Sequence, residues 1–128
     1  VGNGMNRTFP DGFDIEVFSF EALAQSYKQA EKASEREHVT PYIINHPDLF
    51  CLGSYETETD YSRYRVTVDH PKDIAVVRQI ICAFCYKKQY SWLDVVKYLE
   101  NNPDVSLMNS MHQCNEGYLK SLHEDEVV

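Results

Sequence analysis

From residue 13 to residue 17 apolar and acidic positions alternate. Phe13, Ile15 and Val17 fall on one side of an extended chain, Asp14 and Glu16 on the other. The pattern predicts a strand that buries its apolar side and presents both carboxylates together. A second alternation sets Tyr64, Val66 and Val68 against Arg65, Thr67 and Asp69 and predicts a strand ending at Asp69. Arg65 shares the outward phase there and is a candidate ion-pair partner for Asp14 or Glu16. Residues 49 to 56 read as a third strand, and the polar, acidic stretch 56 to 62 as the loop that follows it.

Between these segments the apolar period lengthens to that of a helix. Ser19 is placed to cap a helix carrying Phe20, Leu23, Ala24 and Tyr27 on one stripe and ending near Ala33. A second helix is predicted from about residue 35 to 40 until just before Pro47, with Pro41 tolerable only in its first turn. Pro71 opens a helix whose apolar positions are Ile74, Val77, Ile80, Ile81 and Phe84. Ser91 and Asp94 form a capping box for another, with Trp92, Val95, Val96 and Leu99 on its apolar face and Asn102-Pro103 at its end. Residues 105 to 114 are weakly helical, and the acidic stretch from His123 is expected to fray.

The 128 residues fit one domain, and their formal charge of -8 argues against a nucleic acid or anionic membrane partner, both of which need clustered Lys and Arg. An anionic substrate would need a basic side chain or a divalent cation beside it. No apolar run approaches the roughly 20 residues of a membrane span, and the expected location is the cytoplasm. Cys51, Cys82, Cys85 and Cys114 lie mostly in apolar patterns and read as reduced core thiols. A zinc site built from Cys82, Cys85, His112 and Cys114, or a redox pair at Cys82-Ala83-Phe84-Cys85, is the competing reading. Trp92 is expected in the core or at a subunit contact.

Chemistry concentrates where a strand hands over to a helix. Asp69, at a strand end with Pro71 close behind, can hold a divalent cation against phosphates or can simply cap the helix. Asp14 and Glu16 can accept hydrogen bonds from sugar hydroxyls. Arg36, Glu37 and His38 form a charged cluster suited to substrate contact or to a solvated ion pair. Arg7 is a further candidate for an anionic group.

Four blocks carry a resemblance across residues 6 to 125: PDGFDIEVFSFEAL, EREHVTPYI, YRVTVDHPKDIAVVRQI and NEGYLKSLHED. In order and spacing they resemble the carboxyl half of the spore coat polysaccharide biosynthesis proteins related to cytidylyltransferases. The resemblance implies the carboxyl-terminal half of a nucleotide-diphospho-sugar transferase fold, an α/β architecture with a mixed sheet, spanning residues 1 to 128. Residues 91 to 128 would form a helical tail suited to subunit contact in a homodimer. The implied reaction transfers CMP from CTP to a sugar, with Mg²⁺, for surface or spore coat polysaccharide. Asp69 matches the magnesium-binding aspartate of the family pattern, Asp14 and Glu16 lie on the strand beside the sugar pocket, and Arg36, Glu37 and His38 fall in a block that the family keeps. His70 and Lys72 replace the usual Thr and Glu, which removes one half of the reciprocal cap with Asp73 and leaves Asp73 as a capping carboxylate. The family's glycine- and arginine-bearing nucleotide loop has no counterpart here, so the chain is expected to be half of an enzyme and inactive alone. A non-catalytic dimerisation or scaffold module is the alternative.

Overall fold

The computed structural model describes residues 1–87, 89–112 and 114–126. Helices form where the caps and breakers are. α1 (Phe20–Gln29) is capped by Ser19, whose Oγ accepts the N–H of Ala22 at 3.1 Å, with Glu21 and Lys28 at the dipole ends that suit them. The predicted second helix is instead two: α2 (Ala33–Glu37) and α3 (Pro41–Asn45), the latter with Pro41 in its first turn. α4 spans Pro71–Phe84 and α5 spans Trp92–Asn101, followed by the short α6 (Pro103–Ser106) and by α7 (Glu116–Glu126). At α5 the capping box is complete. Ser91 Oγ accepts the N–H of Asp94, and Asp94 Oδ2 accepts the N–H of Ser91 at 2.8 Å. The Ser91 N–H, together with the Ser91 hydroxyl donating to the same oxygen at 2.9 Å, holds the Asp94 carboxyl below its usual range.

The predicted mixed sheet is not there. Among the described residues no segment pairs as a strand; Asp11 and Arg65 form an isolated parallel bridge. The α/β mixed-sheet expectation for this chain is therefore corrected to a helical structure with extended connections. The physical reason is that alternation fixes only the phase of side chains, whereas a strand needs a neighbouring backbone. Residues 13 to 17 obtain one only from the short stretch of residues 1 to 3, through the Asn3 N–H on the Ile15 carbonyl at 3.1 Å and the Val17 N–H on the Val1 carbonyl at 2.8 Å, and Ile15 and Val17 stand about two-thirds exposed at 64% and 67%. Their side chains were expected to be buried.

The contacts divide the chain into two compact units. One consists of Val1, Glu16–Ser54 and Cys114–Val128 and contains α1, α2, α3 and α7. Its α7, of which only the end from His123 was expected to fray, is tied to α2 by polar bonds: Asp125 accepts from the backbone N–H and the hydroxyl of Ser34, and Ser121 Oγ donates to Glu37 Oε2 at 2.6 Å. In the same unit Phe20 and Tyr27 lie exposed on α1, so the predicted stripe of that helix is only half covered, through Leu23 and Ala24.

The other unit consists of Gly2–Ile15 and Tyr55–Gln113 and contains α4, α5 and α6. Its core is Tyr64, Val76, Ile80, Phe84, Val95, Val96, Leu99 and Val105, with Trp92 packed against it. Trp92 meets Phe9 at 5.1 Å and Tyr61 at 5.6 Å between ring centres, which makes it an internal residue of this unit. The buried face of α4 runs through Asp73, Val76, Ile80 and Phe84, about a sixth of a turn from the predicted stripe, with which it shares Ile80 and Phe84, leaving Ile74 and Ile81 exposed. Cys82 and Cys85 are exposed too, against the expectation of core thiols. Among the described residues no helix is long and apolar enough to cross a membrane.

Leu99 is 1% exposed and central to this core. Leu99→Ala should cost about 2–5 kcal/mol through a cavity, whereas exposed Ile81→Ala should stay within roughly 0.5 kcal/mol. Urea denaturation of both variants checks the assignment of faces.

Candidate functional site

One guanidinium organises the polar centre of the second unit. Arg65 was expected to face outward, yet its side chain is 7% exposed and meets three aspartates. Its Nη1 donates to Asp11 Oδ2 at 2.7 Å, its Nε and Nη2 donate to both oxygens of Asp73 at 3.0 Å, and Nη2 also donates to Asp69 Oδ2 at 2.9 Å. A buried arginine cannot shed its charge and requires this kind of fork-shaped partner.

Each aspartate is delivered by a different local device. Asp11 sits in the turn Pro10-Asp11-Gly12-Phe13, closed by the Phe13 N–H on the Pro10 carbonyl at 3.1 Å. Gly12 has φ +104°, and a Cβ there would lie 2.6 Å from the Thr67 nitrogen, so only glycine fits. Backbone bonds from the Asp11 N–H to the Tyr64 carbonyl at 2.9 Å and from the Val66 N–H to the Asp11 carbonyl at 2.7 Å then hold the turn against Arg65. Asp73 is the third residue of α4. Its Oδ2 accepts the N–H groups of Asp69 at 3.0 Å and His70 at 2.9 Å, so the aspartate half of the helix cap persists although His70 replaces threonine. Asp69 lies just before that cap, with Thr67 Oγ1 at 3.4 Å from its Oδ2.

The fifth member, Asn109, was not singled out in the sequence. It is 1% exposed, follows α6, and donates through Nδ2 to Asp73 Oδ1 at 2.7 Å and to the Arg65 carbonyl at 3.2 Å. A lone asparagine in a polar turn carries no signal that a distant carboxylate needs it. Asp11 was more accessible to reasoning, since Pro-Asp-Gly is a turn signature.

Burial pushes the Asp73 carboxyl up, but the hydrogen bonds from Arg65, Asn109 and the two backbone amides outweigh that and hold it well below the carboxylate range. Arg65 is correspondingly raised above its usual value, chiefly by its bond to Asp73.

The sequence-predicted residues are distributed as follows. Asp69 is in this cluster and is its exposed member, with 62% of its side chain open against 0% for Asp73. Asp14 bonds to Arg7 Nη2 at 3.0 Å and accepts the Gly12 N–H, and Arg7 also reaches Asp11 at 3.2 Å. Neither Asp14 nor Glu16 pairs with Arg65, because the buried face of that segment, not the exposed one, carries the guanidinium. Glu16 accepts from Thr40 Oγ1 at 2.7 Å. Arg36 is exposed and lies over the Tyr27 ring at 5.9 Å. Glu37 and His38 both meet the buried Ser121, His38 Nε2 at 3.0 Å, and His38 stacks edge-on to Tyr118.

Because the Asp73 carboxyl is lowered on folding, its contribution is fully present above the unfolded value near 4 and disappears as pH falls through and below it. Asp73→Asn should therefore cost about 3–5 kcal/mol at pH 7, by leaving a buried cation without its main partner. The gap between the variant and the unmodified chain should narrow below about pH 4. Urea unfolding at pH 7 and pH 3 measures both effects.

No family model matches the chain. It is 32% identical over 106 residues to an uncharacterised protein of Methanocaldococcus jannaschii, covering 77% of this chain and 41% of that protein. It is 27% identical over 94 residues to the spore coat polysaccharide biosynthesis protein SpsF of Bacillus subtilis, covering 72% of this chain and 36% of SpsF. The chain thus spans about two-fifths of the length of the curated relatives it matches. Among solved structures it superposes on a cytidylyltransferase from Leptospira borgpetersenii with a TM-score of 0.78 and 29% identity, over 88% of this chain and 47% of that one. The similarity in sequence to SpsF and in structure to a cytidylyltransferase together relate this chain to the cytidylyltransferase family.

Proposed function

We propose that the chain is part of a nucleotidyltransferase of the cytidylyltransferase kind, in which Asp69 offers a carboxylate oxygen to a magnesium ion shared with the phosphates of CTP. The observation that carries this reading is the unequal commitment of the three aspartates around Arg65. Asp73 is closed off by Arg65, Asn109 and the helix amides, and Asp11 by Arg65 and Arg7. Asp69 is open to solvent, and its bonds to Arg65 and Thr67 both run through Oδ2. Arg65 would orient this carboxylate by gripping one oxygen while the other faces outward.

A hard oxygen donor of this kind fits magnesium, which takes one or two carboxylates and fills its remaining positions with water and phosphate oxygens. When bound, the ion supplies charge neutralisation for the phosphoryl group under attack. In a protein of charge -8 that neutralisation also offsets the general repulsion of a nucleotide. The acceptor would be a sugar hydroxyl, with Asp14 and Glu16 as carboxylates able to accept from sugar hydroxyls and Arg36 as an exposed cation for an acidic group. Glu37 and His38 would act by holding α7 through Ser121. The sugar and the polysaccharide destination rest on the name borne by SpsF.

Titration of the labelled chain with Mg²⁺ and CTP, followed through backbone amide signals, tests the metal role. The signals of Thr67 to His70 should shift with saturable binding, and Asp69→Asn should weaken the response about tenfold or more. Identical titrations for the two proteins would refute Asp69 as a ligand.

A further inference from the structure

The exposed thiols of α4 take no part in the site around Asp69, and their setting differs from the one the sequence suggested. Cys82 lies in the last turn of the helix and Cys85 is its C-cap residue, with φ -57° and ψ -23° still helical. Both are free and exposed, and so are Ala83 and Tyr86, while Phe84 alone points into the core. Residues three apart on a helix project about 60° from one another, so the two sulfurs share one open face.

The spacing separates two kinds of thiol chemistry. Cβ atoms at this separation lie about 5–6 Å apart, whereas a disulfide needs roughly 3.5–4.5 Å. Direct oxidation would require unwinding the end of α4. An ion bonded to each sulfur at about 2.3 Å closes the same gap with the helix intact. The end of the helix adds a second argument. The negative pole of the dipole favours a bound cation at this end and not at the other, although the Phe84 carbonyl already accepts the Lys87 N–H at 2.9 Å and the Lys87 ammonium lies over the Phe84 ring at 4.9 Å.

The geometry points to Cys82 and Cys85 as a bidentate site for a soft, thiophilic divalent cation such as Zn²⁺ or Cd²⁺. Binding replaces two S–H bonds with two metal–sulfur bonds and releases two protons to solvent. The metal's charge is balanced by the two thiolates, and its remaining positions are filled by water. No oxidant is involved, and the site is independent of Asp69.

The test is a Cd²⁺ titration of the full chain, kept reduced with a phosphine, following the ultraviolet charge-transfer absorption of cadmium thiolate. One ion should bind per chain, with affinity rising with pH because two protons leave. Cys82→Ser and Cys85→Ser should each weaken binding by more than about tenfold, the lower end of what loss of even a supporting group costs. A Cys51→Ser, Cys114→Ser double variant should retain the site. Since all the substituted α4 positions are exposed, far-ultraviolet circular dichroism should show the same helix content in every variant. Unchanged affinity in either single α4 variant, or loss confined to the double variant, overturns the proposal.

Discussion

A guanidinium shut away from water must be matched by carboxylates, and that requirement at Arg65 shapes the surrounding structure. Two segments distant in sequence meet there: the Pro10–Phe13 turn through Asp11, and the stretch from Arg65 into the start of α4 through Asp69 and Asp73. Removing water from these charges carries a desolvation cost that roughly offsets the attraction of the ion pairs, so the cluster is better understood as fixing geometry than as adding net stability. Losing one partner is a different matter, because the remaining charge stays buried. The same bonds set the α4 amino terminus, since Asp73 serves the arginine with both oxygens and the amides of Asp69 and His70, just ahead of the helix, with Oδ2.

This arrangement connects packing to chemistry. Val76, Ile80 and Phe84 continue the face of α4 that begins with Asp73, so burial of the helix against α5 also seats the carboxylate under Arg65. Asp69 is then held at the rim by one oxygen. A rigid, half-satisfied carboxylate is pre-organised for a cation in a way that a freely rotating surface aspartate is not. The relation to the cytidylyltransferase family gives that geometry a chemical context.

Much of the helical structure was legible. Ser19, Pro41, Pro71 and the Ser91–Asp94 box act locally, within one turn, and local devices can be read without knowing the fold. The strands were not legible in the same sense, because the alternation at residues 13 to 17 and 64 to 68 says nothing about whether another backbone lies alongside. Arg65 was assigned to the wrong face for a related reason. Period-two reasoning treats a charged residue as outward, and only the three-dimensional convergence of Asp11 and Asp73 makes its burial favourable. α7 has little apolar periodicity because its attachment is polar, through Ser121 and Asp125, so that a helical tail there was expected from the family resemblance alone. Cys82 and Cys85 were assigned to the core because the apolar stripe of α4 is wide, and packing uses only one side of it. Asp69 at the threshold of a helix was visible from the sequence, whereas its tether to Arg65 was not.

The coupling between Arg65 and Asp73 tests the organising role of the guanidinium most directly. A double-mutant cycle with Arg65→Met and Asp73→Asn, measured by urea unfolding at neutral pH, should give a coupling energy of about 2–3 kcal/mol, the double variant being far less destabilised than the sum of the singles. Additivity of the two substitutions within about 0.5 kcal/mol would contradict it.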